Sequence, residues 1–436
     1  MTGLLTTCGQ EFLDWSADYR LFSKPRLPTC EMFAVVRRAV LQQLPAQAPL
    51  RVAIDDTLLR KTGMRIPGVA WRRDPLGPHF QTNFVRAQRV LQFSADVPLP
   101  GDHHRLVPIQ FLHAPTPVKP SRQASAEQLT AYRSAARQAR LSLLAAQNIA
   151  TLRQALDAEP NGTARPLYLF VDGGYTNATV LKSLPAHTVL IGRIRKDAKL
   201  YSPPPESSAS ATRGRPRHYG ETAPTPEQVR TDASPWQTVS LSIAGQRHDM
   251  RVKVRPNLLW RTAGLGHTLQ LVVIAPLGYR LRKGSRLLYR QPAFLICTDP
   301  QLDVLTLLQG YVGRWDIEVN FREEKTLLGV GQAQVRSAAS VEQVPALQVV
   351  SYAMLLLSMI RVAQGRPQAD TLPPPKWAHA PLRQSTQRAI SQLRGEVWGR
   401  ALGLMNFSDL VACAPPITSP EKFLPHLPSA LLYATQ

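Results

Sequence analysis

The sequence predicts an α/β fold built on a sheet of mixed strand direction, and three observations predict it. Short apolar runs of strand length alternate with longer helical patterns between residues 49 and 192. Two of those runs end in acids, as strands do where a sheet opens on a cleft. A second block of short β-like runs, residues 237–298, follows a stretch rich in Pro, Ser and Thr.

Taken in order, residues 1–48 read as helical, with "CEMFAVVRRAVLQQL" the clearest amphipathic piece. "LRVAIDDT" reads as a short strand ending in acids. "RVLQFSADV" and "HRLVPIQFLHA" read as two more strands, separated by the turn-like "PLPGDHH". A helical pattern rich in Ala, Leu, Gln and Arg runs from Ala126 to Leu156. The apolar run Leu167–Val171 predicts a buried strand closed by Asp-Gly-Gly, and "TVLIGRI" predicts another. After Ile194 the pattern breaks, and residues 200–235 read as loop. "QTVSLSIAG", "HDMRVKVR", "LQLVVIAP" and "PAFLICTD" then define a β-rich insertion over residues 193–299, dividing a core of residues 49–192 and 300–340. Tyr311 to Gln334 reads as helix, and residues 341–436 as a mostly helical region with Pro-rich joints at "TLPPPKW" and "CAPPITSP".

The chain has 436 residues and a net charge of +22, with a pI near 10.4. Such a balance points to a polyanionic partner, a nucleic acid or an anionic membrane surface. The most apolar segment, Val344 to Ile360, is short and interrupted by Pro345, Gln348, Ser351 and Ser358, so it reads as a core helix and not a membrane span. Cys8, Cys30, Cys297 and Cys413 are scattered, with no C-x-x-C, and read as free thiols in a reducing compartment. No basic-then-apolar leader opens the chain. A soluble, cytoplasmic protein facing DNA or RNA is the expectation.

Two features carry chemistry. Asp55 and Asp56 end the first predicted strand, and Asp172 ends the fourth. If these strands are neighbours they lie about 4.8 Å apart, close enough for two carboxylates to share a divalent cation. A turn or a helix cap explains either acid equally simply. The second feature is a stripe: Tyr311, Arg314, Glu318, Arg322 and Lys325 fall at helical steps of three and four, one acid among cations and a phenol. Trp315, Val319, Leu327 and Leu328 fall on other sides, where they would pack. The alternative is a solvated helix with Arg314–Glu318 and Glu318–Arg322 ion pairs.

These residues resemble the DDE-type insertion-sequence transposases, with a ribonuclease H-like core, and most closely the group carrying a Tyr-x2-Arg-x3-Glu-x6-Lys signature. That signature is complete here as Tyr311, Arg314, Glu318 and Lys325. "LFVDGGY" matches the second family motif at Asp172, and "AIDDT" matches the first, favouring Asp55 over Asp56. The resemblance covers residues 50–335. It implies a ribonuclease H-like sheet, with Asp55, Asp172 and Glu318 as catalytic metal ligands for two Mg²⁺ ions, replaceable by Mn²⁺. Tyr311, Arg314, Arg322 and Lys325 are then DNA contacts. It implies binding to double-stranded transposon ends and target DNA, release of 3′-OH ends, strand joining, and a homodimer to synapse two ends. A domesticated DNA-binding protein without activity, and a ribonuclease H-like nuclease without strand transfer, are the competing readings.

Residues 193–291 hold 18 Lys and Arg against 6 Asp and Glu, a net of +12 and more than half the excess of the whole chain. Within them "RGRPR" (Arg213, Arg215, Arg217) is similar to a short minor-groove hook, or is a solvated basic loop. "RLRKGSRLLYR" is a second basic cluster suited to backbone phosphate. The resemblance implies that an aromatic of the insertion, Trp236 or Trp260, stacks a flipped base; packing in the core is the alternative. His103 and His104 are assigned no role.

Overall fold

Leu50–Arg60 (β1) is the strand around which the sheet is organised in the computed structural model of the chain. The described residues are 14–24, 28–365 except positions 76, 79, 100–102, 206–216, 244 and 283, and 385–390 with 393. Cys8, Cys413, Arg213, Arg215 and both Pro-rich joints therefore lie outside the described residues. The chain divides into two units, one of residues 37–61 and 68–321, the other of residues 1–36, 62–67 and 322–436.

In the first unit β1 is flanked by β3 (Phe84–Leu99), antiparallel, and by β5 (Leu167–Val171), parallel. Beyond β3 lies β4 (His103–His113), antiparallel, with β2 (Ala70–Arg73) also paired to β3. Beyond β5 lies β6 (Thr188–Arg193), parallel. The order β4-β3-β1-β5-β6, antiparallel on one side and parallel on the other, is a ribonuclease H-like fold, as expected from the sequence. The strand β2 went unread because its four residues alternate half-buried and exposed and carry no apolar run.

The basic β-rich segment continues this sheet. β12 (Ala293–Cys297) pairs antiparallel with β6, and β9 (Leu269–Ile274), β8 (Gln246–Leu258) and β7 (Gln237–Ile243) follow edge to edge. All six residues of β9 are buried, which explains its unbroken apolar composition. The second basic cluster borders a two-stranded hairpin, β10 (Gly278–Tyr279) with β11 (Leu288–Tyr289). Phe170, Ile191, Val252, Val272 and Leu295 form one core across both parts of the sheet, closed by Leu307 and Leu308.

The long helix predicted from Ala126 is two helices, α3 (Ala126–Gln138) and α4 (Leu141–Asp157), broken at Ala139–Arg140. Ser125 and Gln128 form a reciprocal capping box at the start of α3. α3 buries no residue, whereas α4 buries Ala145, Ile149, Leu152 and Leu156 at helical spacing. The two patterns differ in what they cover, so the chain turns between them. Short helices α5 (Ala178–Leu181) and α6 (Pro226–Thr231) follow, each started by a side-chain cap, Asn177 and Thr225.

The helix predicted from Tyr311 is likewise interrupted. α7 (Val304–Gly313) ends at Arg314–Trp315 and α8 (Asp316–Leu327) begins at once. At the junction Ile317 N–H bonds Arg314 C=O and Glu318 N–H bonds Trp315 C=O, a tightened i to i−3 turn that shifts the helical phase.

In the second unit are α1 (Ser16–Ser23), the start of α2 (Thr29–Leu41) and α9 (Ala338–Gly365), with Pro345 inside its second turn. By length and composition alone α9 is apolar enough to cross a membrane, but 67% of its most apolar window is buried inside the protein. Glu323 accepts hydrogen bonds from Tyr352 Oη (2.6 Å) and Thr386 Oγ1 (2.5 Å).

Candidate active site

The parallel pairing of β1 and β5 sets the site. Its register ends at Ile54↔Val171, so Asp55 stands beside Asp172, the first residue past β5. The sheet spacing puts their backbones about 4.8 Å apart. Asp55 and Asp56 do not end β1 as the sequence predicts: pairing with β3 carries the strand on to Arg60. Asp172 leaves the sheet in a turn: its side chain accepts from Gly174 N–H at 2.8 Å, and its carbonyl accepts from Thr176 Oγ1 at 2.9 Å. Asp55 and Asp56 take different partners, as alternation along a strand requires. Asp56 accepts from Arg89 Nε and from Tyr175 Oη, both at 2.7 Å. Asp55 accepts from Arg314 Nη1 at 3.0 Å.

Gly310 brings α7 onto β5. A Cβ there would run into the Phe170 ring, so only glycine allows this approach. One residue later Tyr311 is buried, and Arg314 lies one turn on, its guanidinium 5.9 Å from the Tyr311 ring. α8 is seated by Ile317 and Phe321, which pack with Ala53 of β1 and Leu106 of β4. Each such buried side chain contributes about 1.5–3 kcal/mol. Asn320 adds a hydrogen bond from Nδ2 to Leu106 C=O at 2.9 Å. Ile317, Asn320 and Phe321 thus fix the face that Glu318 presents, and sequence periodicity centred on the charged stripe missed them.

Arg314 bridges two of the predicted acids. Its Nη1 is 3.0 Å from Asp55 and its Nη2 is 3.8 Å from Glu318 Oε1, while its Nε is buried without a partner. Burial raises the Asp55 carboxyl to about 7, against the opposing pull of Arg314 and with the negative charge of Asp172 adding to the rise. Burial also raises Glu318, again opposed by Arg314 and reinforced by Asp172. Tyr311 is raised by burial, with Arg314 and Arg193 opposing and Asp172 adding. Asp55, Asp172, Glu318, Arg314 and Tyr311 therefore share one electrostatic field.

The remaining predicted residues are placed as follows. Trp315, expected to pack, is 55% exposed, because the tightened junction turns it outward and Arg314 inward. Arg322 is exposed and Lys325 half-buried, both on the part of α8 that belongs to the second unit. Arg217 is exposed at the margin of the basic loop. Trp236 is half-buried beneath Lys253 Nζ, 4.8 Å from its ring centre. Trp260 lines a groove of about 1000 Å³ with Arg193, Arg195, Lys196 and Arg230. His104 pairs with Asp96 at 3.0 Å.

Among the described residues no three His, Cys, Asp or Glu side chains are gathered tightly enough to hold a metal ion. The donor set nonetheless suits a hard cation in type, being carboxylate oxygen throughout. Mutually repelling acids with a guanidinium set between two of them are also what a cation would neutralise.

A ribonuclease H-like sheet with one acid in mid-β1, where the parallel pairing to β5 stops, and another just past the end of β5 defines a nuclease or transposase type of enzyme. The chain matches the family described as DDE superfamily endonuclease over residues 16–258, and it belongs to that family. The match includes Asp55 and Asp172 and ends before α8. Enzymes of this superfamily act on DNA and generally use divalent metals. No curated protein matches the chain.

Proposed function

We propose that the chain is a DNA transposase of the Tyr-x2-Arg-x3-Glu-x6-Lys group. It binds the terminal inverted repeats of its own insertion sequence, cleaves to free 3′-OH ends and joins them to target DNA. The observation that carries this reading is the adjacency of Asp55 and Asp172, with Arg314 reaching from Asp55 to Glu318.

Asp55, Asp172 and Glu318 would hold the divalent ions, two Mg²⁺ or Mn²⁺, whose chemistry is activation of the attacking oxygen and neutralisation of the leaving one. The rest falls to the chain's own groups. Tyr311, raised by its surroundings, keeps its phenolic proton and serves as a hydrogen-bond donor. Arg314 offers a planar fork to phosphate, and Arg322 and Lys325, on the later turns of α8, are further contacts to DNA. Arg213, Arg215 and Arg217 add phosphate contacts from the basic loop. Two ends must be held together, so the working form is a homodimer on DNA, in the cytoplasm.

The test is a DNA fragment bearing the inverted repeats that flank the coding frame, incubated with and without Mg²⁺. Wild type nicks and joins only with the ion. Glu318→Gln keeps end binding in a gel shift but loses nicking by orders of magnitude. Near wild-type nicking by Glu318→Gln removes Glu318 from the site. Cleavage without joining would assign the chain to nucleases.

A further inference from the structure

On the Asp56 side of β1 lies a cavity of about 550 Å³, large enough for a nucleotide-sized group. Three arginines line it: Arg72 from β2, Arg89 from β3 and Arg140 at the start of α4. The acids on its wall are Asp56 and Asp172. Asp56 is already taken by Arg89 and Tyr175. Arg72 donates to Thr116 Oγ1 through Nη2, while its Nε is buried with no partner. Burial lowers the Arg72 guanidinium, with Arg89 adding to the fall and Asp56 opposing it.

The fourth element is a helix end. Leu141 and Ser142, the first residues of the 17-residue α4, line the same cavity, and no side chain caps that helix. The first amides of a helix lack intrahelical acceptors and lie at the positive end of its dipole. Arginines and the start of a helix lining one space are chemistry for an oxyanion such as phosphate.

We propose that this cavity is a binding subsite for a phosphodiester of a DNA strand, with Arg72, Arg140 and the opening amides of α4 as donors. Arg89 braces Asp56 and is not counted among them. The proposal rests on the DNA-endonuclease reading for the identity of the anion. The loop that carries Asp172 also supplies Gly174, Tyr175 and Asn177 to the cavity wall, so a strand engaged at Asp172 runs past it.

The experiment measures binding of a fluorescein-labelled single strand of about eight nucleotides to the full chain in EDTA, by anisotropy across a salt series. Arg140 is exposed, so Arg140→Gln tests the subsite without disturbing the core. Arg137→Gln, on the exposed end of α3 but off the cavity wall, is the control. Arg140→Gln and Arg72→Gln should each weaken binding at least about fivefold, and each should flatten the slope of log K against log salt by about 0.7. Arg137→Gln should change affinity less than about twofold. Unchanged binding in Arg140→Gln, or an equal loss in Arg137→Gln, overturns the subsite. Competition by millimolar inorganic phosphate that matches the single strand's own affinity would mean that the cavity takes free phosphate, and overturns the DNA assignment. Cleavage plays no part in this readout. A chain that binds through Arg140 yet never cuts its repeat ends keeps the subsite and loses the transposase reading.

Discussion

Arg314 Nη1 and Asp55 Oδ2 meet at 3.0 Å, a largely buried ion pair that ties the junction after α7 to the central strand β1. Both partners are mostly removed from water, so each is costly alone. Arg314→Gln should destabilise the protein by about 3 kcal/mol, and Asp55→Asn in the same chain should restore part of the loss. Urea unfolding of the two single variants and the double variant measures the coupling. Strict additivity would show that the pair does not hold the junction.

His113 supplies a pH dependence. Burial, with Arg72 and Lys61 adding, lowers its folded-state value to about 4 from an ordinary 6.5. The unfolded chain then binds more protons than the folded one between those values, so stability falls as pH drops from about 6.5 to about 4. The loss should amount to about 1–3 kcal/mol, and His113→Gln should be spared it. Melting curves of both proteins from pH 7 to pH 4 decide; parallel curves would remove His113 as the cause.

Gly310→Ala should be more harmful than its small size suggests, because the added Cβ meets the Phe170 ring. A cost of about 1–3 kcal/mol is expected from overpacking. Phe170→Leu should relieve it in the double variant. Thermal melts of the single and double variants check this, and a Gly310→Ala chain as stable as wild type would show that α7 has room to shift.

Divalent ions should stabilise the folded chain by mass action if the acids bind them. Mg²⁺ or Mn²⁺ titrated into the DNA-free protein should raise the melting temperature, and Asp172→Asn should abolish most of the rise. An identical rise in both proteins would place the ion elsewhere.

Asp172 was legible as a strand end because local pattern and local geometry coincide there, whereas β1 runs past Asp55 and Asp56 to Arg60 through its pairing with β3. The run Leu167–Val171 is apolar enough to name a strand, and Asp172 ends it. Which strand neighbours it is a long-range fact: the Ile54↔Val171 register had to come from the fold. Alternation along β1 separated the partners of Asp55 and Asp56, which spacing alone could state only as opposite faces. The break at Ala139–Arg140 carries no glycine or proline, and the one at Arg314–Trp315 is marked only by Gly313 at the end of α7, so helical periodicity runs through both. Once the second break is known, the outward turn of Trp315 and the inward turn of Arg314 follow. The arginine cavity was invisible for another reason: Arg72, Arg89 and Arg140 are scattered along the chain and meet only when β2, β3 and α4 are in place.

The position of β12 has a consequence for synthesis. β6 ends at Arg193, yet the strand that covers its outer side is β12, completed only at Cys297. As the chain emerges from the ribosome, the free N–H and C=O groups of β6 must wait for a hundred further residues before they find partners. An uncovered edge of this kind invites pairing with another nascent chain. The intervening strands β7, β8 and β9 pair with their neighbours in sequence, the short-range contacts that cost least to close. In the finished sheet β12 closes the gap between β6 and β9, so beyond β6 the strands are made in the reverse of their spatial order.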